Sequence, residues 1–264
     1  MPEGLEAEIW RRACEPLVGR TIVDAVVDER VAPFGFADIV RGATISGVGR
    51  TGKVVLLDVE DVDAERIGLH FGMTGRLVVD GAAPIDRLTY ASGRDDSAWD
   101  RVRLFTQASP GTDSRIPALR LNDPRRLGKV TLDPDLSTLG VDVFALRAPD
   151  LHRALRGRRT AVKSALLDQH VVAGLGNLLS DEVLWWSGIS PLRRADSLDD
   201  QEIAGLASAI RRRLPIMLRR GGSTMGTLSP DVRSACPPCE RDGVPLQRGS
   251  VGGRTTIWCP DHQR

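Results

Sequence analysis

Lysine is almost missing from this chain. Of its 36 basic residues only Lys53, Lys129 and Lys163 are lysine, and arginine supplies the rest. Where arginine is the default, a lysine marks a place where a compact ammonium is wanted. Cysteine is scarce too, with four in 264 residues. Three of them crowd the last thirty positions, so no disulfide framework is written here and the pattern suits a reducing compartment. Cys14 lies alone in a helical stretch and reads as a small buried residue rather than a nucleophile. No apolar run approaches the length of a membrane span, and the N-terminus lacks a signal-peptide pattern. The expectation is a soluble, cytoplasmic monomer with no membrane partner. Excess charge is missing as well: the formal net charge is +1. It is unevenly spread, at about −4 over residues 1–140 and about +5 over the remainder. A polyanion would therefore be met mainly by the second half. No internal repeat appears, which excludes a solenoid.

What is present is enough for a real core, since 41% of residues are apolar. Residues 5–17 read as an amphipathic helix with Leu5, Ile9, Ala13 and Leu17 near one face. From Thr21 to Asp133 the runs are strand-like: Thr21 to Val23, Val54 to Val59, Leu77 to Val79, Val102 to Phe105 and Lys129 to Leu132. Residues 80–100 and 106–119 look like surface loops. Past Pro134 a linker over 137–147 leads to helix signals at Asp150 to Leu155, Ala161 to Asp168, Asn177 to Trp186 and Asp199 to Arg213. The expected class is α+β: an N-terminal β-sandwich over 1–134, a helical domain over 148–225 and a small metal-held hairpin over 230–264.

The hairpin is expected from Cys236, Cys239, Cys259 and His262, two close pairs of the kind tetrahedral Zn²⁺ takes. A segment this short cannot bury its own core, so the metal would supply its folding energy. A redox pair or stray disulfide is the bland alternative, and Pro237-Pro238 between the thiols argues against a redox loop. Arg248 and Arg254 flank a glycine-rich tip over 249–253, a placement that suits a phosphate backbone.

Other constellations are individually weaker. Pro2, once Met1 is removed, is a secondary amine able to attack an aldehyde-level carbon, and Glu3 beside it can serve as acid or base; an ordinary terminus is the bland alternative. Lys53 rides a Gly-Arg-Thr-Gly-Lys-Val loop without phosphate-loop spacing. In His70-Phe71-Gly72-Met73-Thr74-Gly75-Arg76 the glycines allow a turn that presents Met73 outward as a wedge, or Met73 is core filler. Asn122-Asp123-Pro124-Arg125-Arg126-Leu127-Gly128 carries paired arginines on a turn. Helix, glycine turn and helix N-terminus at Asn177 make an anion site from free backbone N–H groups.

Taken together and in this order, these segments resemble the Fpg/Nei family of bifunctional DNA glycosylases over nearly the whole chain. The resemblance implies a base-excision-repair enzyme, with damaged double-stranded DNA as partner, one structural Zn²⁺ and helix–two-turn–helix architecture around Gly174 to Asn177. It implies that Pro2 attacks C1′ of a damaged nucleotide, that Glu3 moves protons and that the strand is cut by β,δ-elimination. Lys53, Asn177 and Arg254 would hold phosphates. Met73, Arg125 and Leu127 would fill the gap left by the flipped nucleotide, with His70 and Arg126 beside them. Three departures stand out. The finger ends in His262 rather than a fourth cysteine, the opening Pro-Glu-Gly-Leu-Glu mixes two subfamily styles, and the Gly222 to Cys236 connection is short. The last leaves little chain to cover a flipped 8-oxoguanine. A chemically silent DNA-binding module and an RNA-associated protein are the rival expectations.

Overall fold

The computed structural model describes residues 2–85, 88, 93–107 and 116–264. Parts of the two expected surface loops, residues 86–87, 89–92 and 108–115, fall outside those residues. Two compact units emerge. The first holds Met1–Pro2 and Glu6–Leu136, and the second holds Glu3–Leu5 and Ser137–Arg264.

The first unit opens with most of α1 (Gly4–Cys14), then β1 (Ile22–Val27), α2 (Phe36–Val40), β2 (Thr44–Thr51), β3 (Val54–Glu60), β4 (Arg66–His70), β5 (Arg76–Val79), β6 (Asp100–Thr106), β7 (Leu119–Asn122) and β8 (Lys129–Leu132). Two four-stranded sheets form, in orders β1-β6-β7-β5 and β2-β3-β4-β8. Every pairing within them is antiparallel. Their inner faces share one core with α1, whose buried face is Ala7, Trp10 and Cys14, with Leu17 just beyond. The expected stripe runs a step away: Ile9 and Ala13 only pack against that core, and Leu5 belongs to the core of the second unit. Trp10 takes the central place, its ring 4.1 Å from that of Phe71. Cys14 is fully buried, and burial pushes its thiol up to about 12, so it is inert.

The second unit contains β9 (Val141–Asp142), α3 (Ala148–Leu155), α4 (Val162–Leu167), β10 (Val172–Ala173), α5 (Asn177–Ser187), α6 (Asp200–Arg220), α7 (Pro230–Ala235), β11 (Gln247–Val251) and β12 (Arg254–Trp258). Asp199 and Glu202 close a capping box on α6. The helix runs through Pro215 to Gly221 (φ +116°), longer than the sequence suggests. Proline removes one hydrogen bond but does not end a helix whose apolar face is buried: Ile203, Leu206, Ile210, Leu214 and Met217 hold it to the core. β11 and β12 form the hairpin, with Gly252 and Gly253 at positive φ as its turn. The tip is thus narrower than expected, and Gly249 lies within β11, beneath Trp258. No helix among the described residues is long and apolar enough to cross a membrane.

Candidate functional site

A helix start leaves orphan N–H groups that need acceptors. At α5 the acceptor is Glu3, 1% exposed. Its carboxylate accepts from Gly176 N (2.9 Å), Leu178 N (2.8 Å) and Leu179 N (3.1 Å). The expected anion site built from free backbone groups is therefore corrected: the protein's own carboxylate takes these amides, and the helix dipole favours its charge there. Asn177 stays half-buried, with its Oδ1 lacking a hydrogen-bond partner. The fit is tight. A Cβ on Gly176 would sit 2.3 Å from Glu3 Cδ, and Gly4 N donates to Gly174 O at 2.8 Å. Gln169 clamps the turn from the other side, donating to the Leu167 and Leu175 carbonyls and accepting from Gly174 N. Pro2, which precedes Glu3, is buried.

In the first unit Lys53 sits half-buried at the β2–β3 turn, beside Gly52 (φ +58°). Register sets Val54 and Lys129 opposite His70 on its two neighbouring strands. His70 keeps an exposed edge, yet the surrounding protein first, then the charges of Lys53 and Lys129, hold its imidazole below the ordinary value. Its Nδ1 accepts from Gly72 N. The turn carrying Met73 abuts the one carrying Arg125 to Leu127: a Cβ at Gly72 would lie 2.3 Å from Leu127 O.

Asp123, fully buried, organises both turns. It accepts from Thr74 Oγ1 (2.5 Å), Arg125 N (3.1 Å), Leu127 N (2.7 Å) and Gly128 N (2.7 Å). Arg125 and Leu127 are left exposed and Met73 half-exposed. Arg126 is placed differently: at φ +54° its Nε donates to Asp28 at 2.9 Å. Arg30 first, with help from Arg126, brings the Asp28 carboxyl down to about 2.

On the hairpin, Arg254 is exposed beside the Gly252–Gly253 turn. The hairpin is anchored to α5 by buried charge. Lys163 Nζ lies 2.7 Å from Asp181 Oδ1 and donates to Thr256 Oγ1 (2.8 Å) and Thr255 O (3.1 Å). Arg233 reaches Asp181 Oδ2 at 2.5 Å and Thr255 O at 2.8 Å. Ile257 N also donates to Asp181. Burial lowers the Lys163 pKa and the Asp181 charge opposes that shift. Breaking such a buried pair costs about 3–5 kcal/mol, so the peptide beside Arg254 is firmly held. A lysine in an arginine-rich chain was the only sequence signal for this network.

Cys239, Asp242, Cys259 and His262 gather with their donor atoms all within 4.8 Å of one another, a group suited to a metal ion. Cys236 lies outside that group. Asp242 was not singled out by spacing, because Cys-x2-Cys and Cys-x2-His already fill four positions.

A hairpin with an exposed arginine at its turn, a helix start capped by a buried carboxylate and a β-sandwich turn that leaves Arg125 and Leu127 exposed make up the candidate surface. The family model described as the formamidopyrimidine-DNA glycosylase N-terminal domain matches residues 1–130, and the formamidopyrimidine-DNA glycosylase H2TH domain matches residues 139–229. Among curated relatives, the formamidopyrimidine-DNA glycosylase of Xanthomonas campestris pv. campestris is 33% identical over 294 residues, and that of Burkholderia cenocepacia 34% over 295, each match covering 100% of both chains. Among solved structures, the MutM (Fpg) protein of Thermus thermophilus aligns with TM-score 0.78 and 29% identity, covering 99% of this chain and 98% of that one. A Lactococcus lactis Fpg mutant in complex with Fapy-dG-containing DNA aligns with TM-score 0.79 and 25% identity over 100% of both chains. The class is that of DNA glycosylases of base-excision repair. The chain belongs to the formamidopyrimidine-DNA glycosylase family.

Proposed function

We propose that this glycosylase excises oxidised bases from double-stranded DNA through an imine on Pro2 and then cuts the strand. With Met1 removed, the Pro2 nitrogen attacks C1′ of the damaged nucleotide and the N-glycosidic bond breaks. The base leaves with the bonding electrons and a proton. Ring opening at O4′ yields an iminium, and Glu3, which takes up the proton that the Pro2 nitrogen loses after attack, delivers it to O4′. β-Elimination releases the 3′ phosphate oxygen, δ-elimination the 5′ one, and water frees Pro2. The observation that carries this reading is the buried Glu3 carboxylate, fixed by three amides at the residue following Pro2. Lys53, Asn177 and Arg254 are assigned to phosphates. Met73, Arg125 and Leu127 fill the vacated stack, with His70 beside them. Arg126 serves by bracing the turn through Asp28.

The donor set supports zinc: two thiols and an imidazole converge with a carboxylate. His262 Nε2 lies 3.1 Å from Trp185 O, a contact that leaves Nδ1 facing the cluster. Zinc would supply the hairpin's folding energy and take no part in the reaction. We also assign the protein to the cytosol, acting as a monomer.

The short connection after α6 supports a lesion preference. It is a single turn over Ser223–Met225 followed by α7, pinned where Glu182 accepts from Thr227 N and Leu228 N, both at 2.9 Å. Formamidopyrimidines, oxidised pyrimidines and abasic sites should therefore be processed faster than 8-oxoguanine, and equal rates on all four would remove this part of the reading. The principal test is borohydride trapping on a duplex with one abasic site. The native N-terminus should give a covalent complex. Pro2→Gly should diminish it, and a chain retaining Met1 should lose it. No complex from protein confirmed to start at Pro2 would make the chain a DNA-binding module instead.

A further inference from the structure

We propose that Glu8 and Arg50 are positioning residues for Lys53: together they hold the β2–β3 turn in the one conformation that sets its ammonium against DNA phosphate, a role that rests on the assignment of Lys53 to phosphate above. Three observations carry it, all within the first unit. The first is the shape of the turn. Thr51 pairs with Val54, so Gly52 and Lys53 are its two central residues. Gly52 has φ +58°, and Lys53 is not among the residues at positive φ. Positive φ at the first central residue alone is the pattern of a type II′ turn, whereas a type I′ turn needs it at both. The two forms differ by a flip of the peptide between the central residues, which reverses the Gly52 carbonyl. Such a flip also swings the root of the Lys53 side chain.

The second observation is what grips that peptide. Arg50 Nη1 donates to Gly52 O at 2.8 Å. A reversed carbonyl would lose this bond, so Arg50 selects the form in which Lys53 keeps an ordinary negative φ. The Arg50 side chain is 7% exposed, lying against the protein and not reaching into water as an idle surface arginine does.

The third is what grips Arg50. Its Nε donates to Glu8 Oε2 at 3.3 Å. Glu8 is on α1 and is oriented by its own helix: Arg11 Nε donates to Oε2 at 3.0 Å and Arg12 Nε to Oε1 at 2.8 Å. Residues three and four apart share a helix face, so both arginines reach the same carboxylate. The strut thus runs from the turn that carries Lys53 to the helix that follows Pro2 in the chain. A lysine stem is long and flexible, and its charge serves one phosphate well only when the backbone beneath it is fixed.

Single-turnover strand cleavage at saturating duplex with one abasic site would be measured for the full-length protein, Lys53→Ala, Arg50→Met, Glu8→Gln and the two double variants that combine Lys53→Ala with each of the others. Lys53→Ala should slow cleavage at least about thirtyfold, Arg50→Met about tenfold and Glu8→Gln about threefold. With Lys53→Ala present, neither Arg50→Met nor Glu8→Gln should slow it further, because the group they position is gone. A pair that only stabilised the fold would cost the same in both backgrounds. Glu8→Gln keeps the shape of Glu8 and decides the matter should Arg50→Met fail to fold. An unchanged rate in either single variant, or equal losses in the two backgrounds, overturns the proposal while leaving the role of Lys53 intact. If Lys53→Ala itself cuts at the unaltered rate, the phosphate reading of Lys53 has failed and the proposal falls with it.

Discussion

Two buried carboxylates, Glu3 and Asp123, do the same physical job by different routes. Each collects several backbone amides from a glycine-bearing turn, and each is 1% exposed or less. Asp123 works locally: three of its four donors lie within five residues, and only Thr74 comes from afar. Glu3 works across the chain, its donors 173 to 176 residues away. Local wiring sets the shape of a tip whose side chains stay exposed. Remote wiring makes one helix start depend on one acidic side chain, and so fixes that side chain in return.

The sharpest way to test the contrast is to neutralise each carboxylate in turn. Glu3→Gln should cut turnover by about 10²–10⁴-fold, the usual worth of a positioned proton donor. Its melting should fall too, since Gln keeps an acceptor for only part of the amide set, so the distinguishing loss is turnover without a matching loss of DNA binding. Asp123→Asn should instead weaken DNA binding and lower stability together, by about 1–3 kcal/mol for amides left without a good acceptor. Single-turnover rates and DNA affinities of both proteins decide the matter; parallel losses in the two would erase the distinction.

Gly176→Ala comes next. A methyl 2.3 Å from Glu3 Cδ has nowhere to go, so we expect about 1–3 kcal/mol of overpacking strain and lower activity through displacement of Glu3. An alanine variant with unaltered melting and activity would show that the turn is looser than it looks.

The smallest expected effect is one of pH. Asp28 titrates at about 2 in the folded protein against an ordinary value of 3.8. A depressed carboxyl contributes stability that is complete above about pH 4 and is lost as pH falls toward 2. Asp28→Asn should therefore lower melting slightly at neutral pH and flatten the acid limb of the unfolding curve, because the stability that acid removes is already absent. If the acid limb is unaltered, the Arg30–Asp28–Arg126 contacts carry no weight in solution.

How much of this could be read in advance follows from the same contrast. The β-rich and helical halves, the hairpin and the Met73 and Arg125 turns carried short-range signals: periodicity, paired ligands, Gly and Pro punctuation. β2 and β4 did not, because Gly47, Gly49 and Gly68 interrupt their alternation, and β7 is only four residues long. Gly68 is there because a Cβ would meet Thr131 Oγ1 at 2.7 Å, a fact of strand pairing and not of local sequence. Glu3 was visible as an acid beside an amine, but its role as the cap of α5 was not, since nothing near residue 3 points to residue 176. Asp181, Glu182 and Asp242 escaped for the same reason: each is an ordinary acidic residue until its distant partners are in place.

The order of synthesis adds a last consequence. Helix α5 needs Glu3 at its start and, along its flank, the strand bearing Thr255 and Ile257. The ribosome makes the first of these at once and the second only some seventy residues after α5 itself. Until residue 257 has left the ribosome, Asp181 and Lys163 lack the backbone of that strand. The helical unit cannot finish folding until that strand has emerged, and an emerging chain should gain this unit's protease resistance in a single late step.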